Sequence, residues 1–207
     1  MASSMAQPSA PSTDYRRPQH LHPPRREKDW ALTTIRTPDA SEADTLATLH
    51  VITWQEAYEG LLPEAYLASL APVQRLPMWQ RLLATPSHAS VFVAELDDDV
   101  VGFACGGASS DDDAGETIGE LWMIYVRRAC WGLQIGRGLH DAVLADLHRR
   151  GFQEARLWVM ATNARTRGWY ERRGWALDAR RRSVEVWGVS VAEVRYRRRL
   201  GAARVVP

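Results

Sequence analysis

The feature that most constrains the fold is a long apolar run that leads through a glycine-containing loop into an amphipathic helix. Thr117 to Val126 is apolar on both faces, which predicts a strand in the middle of a sheet. Downstream, Leu139, Val143 and Leu147 recur on one face of a predicted helix. The glycines of the loop are therefore expected at a helix N-terminus, where free backbone N–H groups and the helix dipole favour an anion.

The loop itself, Trp131 to Gly138, fits no standard phosphate-binding motif. The spacing of the dinucleotide fingerprint is absent, and so is the Lys-Ser/Thr ending of the Walker loop. A few glycines before a helix are a weak signal on their own, so the assignment depends on the rest of the chain.

The order of elements predicts an α/β fold with a mixed β-sheet flanked by helices. Strands and helices alternate in the second half, which predicts a parallel crossover, and hairpins elsewhere predict antiparallel pairs. Asp97 to Asp99 joins two β-rich runs as a hairpin turn. The predicted strands cover 33–36, 90–95, 100–105, 117–126, 155–159, 183–187 and 191–199, and the helices begin at Pro38 or cover 63–70, 73–83, 139–150 and 163–173.

Length and composition indicate one domain with an appendage. The chain has 207 residues, and residues 1–30 contain five prolines without apolar periodicity, which predicts a disordered tail before a domain over 31–201. No apolar run approaches the ~20 residues of a spanning helix, and no hydrophobic segment of signal-peptide type begins the chain. We therefore expect a cytoplasmic protein without membrane contact.

The charge distribution and the cysteine content limit the classes of partner and ligand that the chain is expected to bind. The net charge of +1 divides into +2 for residues 1–30 and +6 for residues 179–207, which leaves −7 between them. The arginines near Arg195 suit a nucleic-acid patch, but a last strand with a charged outer face explains them better. Cys105 and Cys130 lack the spacing of a zinc site and are interpreted as reduced thiols, so no metal is expected.

Motifs after the loop make the assignment specific. The strand Leu157-Trp158-Val159 precedes Asn163 at a helix start, and the helix ends in Trp169-Tyr170-Glu171-Arg172-Arg173-Gly174-Trp175. Together with the glycine loop, this pattern resembles the GNAT superfamily of acetyl-CoA-dependent N-acetyltransferases. The resemblance extends over roughly residues 33 to 200, and the segments WQEAYEGLL and GVSVAEVRYRRRL look like a bacterial branch.

The resemblance implies a GNAT fold and a site for acetyl-CoA. Main-chain groups at the end of the long strand would bind the pantetheine arm, amides of the loop would bind the pyrophosphate, and Tyr170 would face the sulfur. Asn163 would form a hydrogen bond with pantetheine. The residues so assigned to the coenzyme are Ile124, Tyr125, Val126, Trp131, Gly132, Leu133, Gln134, Ile135, Gly136, Arg137, Asn163 and Tyr170.

Two positions depart from the family's Arg/Gln-x-x-Gly-x-Gly/Ala loop. Trp131 stands at its first position, and Gln134 replaces its first glycine. Main-chain amides do not depend on the side chain, so the loop can still bind phosphate where Gln134 adopts the local backbone conformation.

Acyl transfer needs a base for the amine and an acid for the thiolate. Glu120 is the candidate base, because apolar neighbours on its strand face, expected to include Trp122, Ile124 and Val126, would raise its pKa. A paired structural acid is an equally good interpretation. Tyr170 is the candidate acid; away from the family context, a packed helix residue explains it better. Tyr125, expected on the opposite strand face from Glu120, fits the core.

These observations predict transfer of an acetyl group to a primary amine by direct attack in a ternary complex. The acceptor is a small-molecule or peptide amine, and it would enter past Trp54, Tyr58 and Tyr66. The acidic balance of residues 31–178 favours a cationic acceptor. The alternative is a GNAT-fold module that binds coenzyme or protein without turnover, with nucleic-acid binding weaker still. A homodimer stays open.

Overall fold

The computed structural model describes residues 33–85, 87–186 and 188–201, so the predicted tail over 1–30 lies outside the described residues. Seven strands and five helices are formed: β1 (Thr34–Arg36), α1 (Ala43–Tyr58), α2 (Glu64–Ser69), α3 (Pro72–Ala84), β2 (Ala89–Leu96), β3 (Asp99–Ala108), β4 (Ile118–Val126), α4 (Ile135–Arg149), β5 (Glu154–Met160), α5 (Ala164–Glu171), β6 (Ala176–Val186) and β7 (Val189–Arg199). Short 3₁₀ turns cover Ala40–Glu42 and Arg128–Cys130.

The seven strands form one mixed sheet in the order β1-β2-β3-β4-β5-β7-β6. Only β4 and β5 pair in parallel, and α4 is the crossover between them. The other neighbours are antiparallel. The predicted mixed sheet and its parallel crossover are thus confirmed. Asp97 and Asp98 turn the β2–β3 hairpin with positive φ angles of 52° and 66°.

Helices cover both faces of the sheet, which gives two cores. On one face α4 buries Leu139, Val143 and Leu147 completely, as its apolar periodicity predicts, against the strands and α5. On the other face α1 and α3 pack over β2 and β3 around the buried Trp79. The helix α2 contributes Leu67 to a smaller cluster over β5 to β7 on this second face.

A β-bulge in β4 decides which side chains point to which core. Cys105 of β3 pairs with Met123 and Gly106 pairs with Leu121, so Trp122 is an extra residue between them. Leu121 packs in the α4-face core, whereas Met123 packs in the α1-face core. Strict alternation would have put both on one face.

The bulge therefore corrects the predicted faces of the strand. Ile124 and Val126 pack in the α4-face core, while Trp122 and Tyr125 pack in the α1-face core. The expectation that Glu120 shares a face with Ile124 and Val126, opposite Tyr125, is wrong for this reason.

Two elements also begin earlier than their sequence pattern predicts. The helix α4 starts at Ile135 rather than at Leu139, so Gly136 and Gly138 lie inside its first turn. The strand β6 starts at Ala176 rather than at Ser183, because its first half is an exposed edge strand without apolar alternation. Charged side chains on such an edge resist pairing with another chain. Among the described residues, no helix is long and apolar enough to cross a membrane.

Candidate active site

A cleft opens where β4 and β5 separate. Their parallel pairing runs from Ile118 with Glu154 to Glu120 with Arg156 and ends there, while β5 stays paired to β7 as far as Met160. The remainder of β4 forms one wall of a cleft with a volume of about 470 Å³. Because this part of β4 lacks a neighbour on that side, its main-chain groups are available to a ligand.

The N-terminus of α4 lies at one end of this cleft. Gly132 and Gln134 both have positive φ, at 90° and 61°, and Ile135 and Gly136 follow as the first helical residues that line the cleft. Arg137 is the first residue of the turn whose amide donates to a main-chain oxygen, that of Gln134 at 2.9 Å. The amides before it precede the first intrahelical donor, which is the arrangement that binds phosphate.

Gln134 adopts the left-handed conformation that glycine would adopt more easily. Its φ of 61° and ψ of 0° make it the N-cap of α4. The loop thus keeps the backbone path that a glycine favours, although the side chain is present. The departure of Gln134 from the family pattern therefore leaves the backbone conformation of the loop unchanged.

Arginines surround the cleft. Arg137 comes from α4 and Arg165 from α5, and Arg172 and Arg173 follow directly after the end of α5. The Arg173 guanidinium stacks on the ring of Trp169 at 3.7 Å from its centroid. This concentration of positive charge at a helix N-terminus suits a ligand with several phosphate groups.

Trp131 crosses between the two sides of the cleft. Its indole Nε1 donates a hydrogen bond of 2.8 Å to the main-chain oxygen of Val126 at the end of β4. Its ring carries the Arg165 guanidinium at 3.6 Å from the centroid. Trp131 departs from the family pattern, and its side chain links the β4–α4 loop to the start of α5.

Asn163 is the N-cap of α5. Its side-chain oxygen accepts a hydrogen bond of 3.1 Å from the amide of Thr166. The oxygen is committed to the helix, so the NH₂ group is the part of this side chain that can donate to a ligand. Asn163 lines the cleft, as the resemblance implies.

Tyr170 reaches the cleft from α5. It is 6% exposed, lies edge-on to Trp169 and Trp175, and lines the cleft. Burial, with the nearby Tyr58 as a smaller cause, raises the pKa of the Tyr170 phenol well above its usual range. The hydroxyl therefore keeps its proton at neutral pH and can donate it.

Glu120 lies at the point where β4 and β5 separate. It is 8% exposed, and its carboxylate accepts a hydrogen bond of 3.0 Å from Ser109 Oγ. Burial is the main cause of a raised pKa for Glu120, and the nearby Asp111 raises it further. Glu120 is not among the described residues that line the cleft.

Three aromatic residues were expected at the acceptor entrance, and one of them reaches the cleft. Tyr58 lines it, and its hydroxyl lies 3.0 Å from that of Tyr125. Trp54 packs against Tyr58 and under the Arg75 guanidinium, and Tyr66 packs against the smaller apolar cluster that includes Leu67.

Most of the residues predicted for the coenzyme come together in this cleft. Leu133 is the exception, because it packs against the α4-face core. Predicted residues that line the cleft are Ile124, Tyr125, Val126, Trp131, Gly132, Gln134, Ile135, Gly136, Arg137, Asn163 and Tyr170. The sequence did not single out Arg165, Arg172, Arg173, Trp158, Met160 and Glu193, which also line it.

Comparison with known sequences agrees with this geometry. The model of the acetyltransferase (GNAT) family matches residues 51–175. An uncharacterized N-acetyltransferase of Archaeoglobus fulgidus is 31% identical over 137 residues, which are 66% of this chain and 88% of that protein. YuaI, an uncharacterized N-acetyltransferase of Bacillus subtilis, is 29% identical over 133 residues, which are 64% of this chain and 74% of that protein.

The fold has solved counterparts. YncA of Salmonella typhimurium, solved with acetyl-CoA, superimposes with a TM-score of 0.63 and 17% identity, covering 84% of this chain and 97% of that one. The likeness at this identity shows the fold, and the sequence match shows the family. The chain belongs to the acetyltransferase (GNAT) family and is an acetyl-CoA-dependent acetyltransferase.

Proposed function

We propose that this protein transfers the acetyl group of acetyl-CoA to a primary amine by direct attack in a ternary complex. The observation that carries the proposal is the cleft between β4 and β5, which has a helix N-terminus at one end and the protonated Tyr170 phenol within it. The acceptor is a small-molecule or peptide amine.

The residues around the cleft fit coenzyme A. Amides of the loop and of the first turn of α4, at Gly132, Gln134, Ile135 and Gly136, would hold the diphosphate, with Arg137 beside them. Main-chain groups of Ile124 to Val126 and the NH₂ group of Asn163 would hold the pantetheine arm. A Cβ added at Gly136 would meet Trp169 at 3.6 Å and Val126 at 3.8 Å, so even a small side chain here would extend into the space between them.

Acid and base roles follow from the environments of two side chains. Acetyl-CoA supplies an activated acetyl group and a thiol leaving group. Tyr170 holds a proton that it can donate to the leaving sulfur. Glu120 accepts the proton of the attacking amine, directly or through water, because its raised pKa makes it a stronger base than an exposed carboxylate.

The cysteines support direct attack over an acyl-protein intermediate. Cys105 is fully buried, and burial raises its pKa to about 12. Cys130 lines the cleft, but burial raises its pKa as well. A thiol nucleophile acts as the thiolate, so both residues are in the unreactive form at neutral pH.

The direct test mixes the protein with acetyl-CoA and a panel of primary amines and follows the release of free thiol, with mass spectrometry of the amine. We expect thiol and acetylated amine in equal amounts, and initial rates that show both substrates bound together. Thermal stabilisation by acetyl-CoA without thiol release for any amine would contradict the proposal. Parallel double-reciprocal plots, which indicate an acyl-protein intermediate, would contradict the direct attack.

A further inference from the structure

An arginine of the protein itself lies against two residues of the cleft wall, in the position of a bound cation. The Arg182 guanidinium of β6 lies over the ring of Trp158 at 4.3 Å from the centroid. Its Nε donates a hydrogen bond of 2.6 Å to the Glu193 carboxylate. An aromatic face together with a carboxylate is a recognition site for an ammonium or a guanidinium group.

The ring and the carboxylate form part of the cleft rather than of the distant surface. Trp158 and Glu193 both line it, as do Tyr58 and Trp122. Trp158 and Glu193 lie on the face of the sheet opposite α4, because their neighbours Val159 and Val194 pack in the α4-face core. The two side chains therefore lie on the face of the sheet that α1 covers.

The ring of Trp158 is held in place by a buried ion-pair cluster. Its Nε1 donates a hydrogen bond of 3.0 Å to Asp111, which in turn pairs with Arg195 at 2.8 Å. Arg195 also pairs with Asp113 and Asp178, and its side chain is 4% exposed. The aromatic face is therefore rigid, whether or not a cation lies on it.

Arg182 is the member of this group that can leave. Its side chain is 43% exposed on the edge strand, and the salt bridge described for it is the one with Glu193. Arg195, at 5.7 Å from the same ring, is fixed by three aspartates and cannot exchange. An exposed pair of this kind is weak and is easily replaced by another cation.

Arg182 also lies close enough to Glu120 to act on its charge. Its positive charge opposes the rise in the pKa of the Glu120 carboxyl that burial produces. A cation that takes the place of Arg182 would act on the Glu120 carboxyl in the same direction.

We propose that Trp158 and Glu193 form an acceptor subsite for a cationic group, and that Arg182 occupies this subsite until the acceptor displaces it. The acceptor class is a diamine or a related amine that carries a second ammonium or guanidinium group. This inference rests on the proposed transfer to an amine. It adds the substrate class and a residue that competes with the substrate.

The test uses two variants that break the same ion pair, Glu193→Gln and Arg182→Gln. The readout is the ratio of kcat/KM for 1,4-diaminobutane to kcat/KM for n-butylamine, which lacks the second charge. We expect the ratio to fall about tenfold in Glu193→Gln, because the subsite loses its charge, and to rise about fivefold in Arg182→Gln, because the competitor is gone.

Arg181→Gln is the matched control, since it removes the same charge from the same strand. Arg181 pairs with Val194, whose side chain lies on the opposite face, so the ratio should not change. If the Arg182–Glu193 pair served only to join β6 and β7, both variants would move the ratio in the same direction or leave it unchanged. Either result would overturn the proposal.

A binding measurement separates this inference from the proposed function. Calorimetry of 1,4-diaminobutane with the full chain and coenzyme A should give the tightest binding in Arg182→Gln and the weakest in Glu193→Gln. Absence of thiol release with this order intact would refute the transfer but support the subsite. Equal binding by all the variants would refute the subsite, whatever the activity.

Discussion

The two sides of the cleft differ in the chemical groups that they present to a ligand. The side proposed for the coenzyme consists of main-chain groups, namely the end of β4 and the first turn of α4, in the stretch from Ile124 to Gly136. The side proposed for the acceptor consists of side chains from β5, β6 and β7, such as Trp158, Arg182 and Glu193. A site made of main-chain groups depends on the conformation of the backbone, whereas a site made of side chains depends on the identity of the residues at particular positions.

This difference explains where the sequence can vary. Trp131 and Gln134 depart from the family pattern, yet Gln134 follows the left-handed path and the first residues of α4, Ile135 and Gly136, still line the cleft. On the other side a single change, such as the loss of the Glu193 charge, removes the proposed recognition. We therefore expect the coenzyme half to tolerate substitutions that keep its backbone, and the acceptor half to set specificity.

The largest expected effect is that of a substitution at Tyr170, between the two halves of the cleft. Tyr170→Phe removes the proton donor and should lower kcat by about 10³-fold, within the range for general acid catalysis, with the Kd of coenzyme A nearly unchanged. Thiol release and calorimetry measure the two quantities. Tyr196→Phe is a control, because this buried phenol bonds to Glu171 and Arg167 in the core instead of lining the cleft. An unchanged kcat in Tyr170→Phe would remove it from the mechanism.

Glu120→Gln tests the base, with an expected loss in kcat/KM of about 10²-fold. Burial raises the pKa of Glu120 in the folded state, so the wild-type rate should fall as pH falls through that raised pKa. The same shift favours the protonated form in the folded protein. The carboxyl thus contributes stability at low pH that is lost as pH rises through its folded-state pKa.

Removing the charge should therefore raise, or leave unchanged, the free energy of unfolding at pH 7 while turnover falls. Urea unfolding and a pH–rate profile measured on Glu120→Gln decide whether Glu120 is a catalytic base or a structural acid. A variant that loses stability and keeps its rate would identify Glu120 as a structural acid.

A third prediction tests the main-chain half. Gly136→Val places a branched side chain between Trp169 and Val126 and should weaken coenzyme A binding about tenfold by crowding the phosphate approach. Calorimetry measures the Kd. Gly138→Ala is the control in the same turn: its Cβ would face Ile35 at 3.3 Å, so affinity should stay the same. Normal binding by Gly136→Val would mean that the phosphates bind elsewhere.

The smallest expected effect concerns the strained loop residue. Gln134→Gly should raise the free energy of unfolding by about 0.5–1 kcal/mol, because glycine adopts a φ of 61° without a steric penalty. Urea unfolding measures the change. Coenzyme affinity should move less than twofold, since the amides stay in place. Gln134→Ala, which keeps the Cβ, should show no such gain in stability.

The features that could be predicted from the sequence are those that residues close to one another in the chain determine. Asn163 at a helix start, the hairpin at Asp97 and the apolar face of α4 depend on neighbours a few residues away, and all three are found. The loop proposed to bind phosphate could be singled out in the sequence because its residues are contiguous. The early start of α4 was missed because Gly136 and Gly138 are weak helix formers that only the tertiary structure makes helical.

The acceptor half of the cleft could not be predicted from the sequence in the same way. Trp158 and Glu193 are separated by 34 intervening residues and meet because β7 pairs with β5, a non-consecutive strand. The register of such a pair follows from tertiary packing and leaves no local signal. The bulge at Trp122 was equally hidden, since β4 is apolar on both faces and no alternation exists to be interrupted.

That bulge gives β4 one residue more than plain alternation needs. The ring of Trp122 lies against Gly107 of β3, in space that a Cβ would fill. Deleting Trp122 would join Leu121, on the α4 face, directly to Met123, on the α1 face, so the residues on either side would keep their faces and alternate without a break. Loss of this one residue would therefore preserve the composition of the two cores and leave the space beside Gly107 empty.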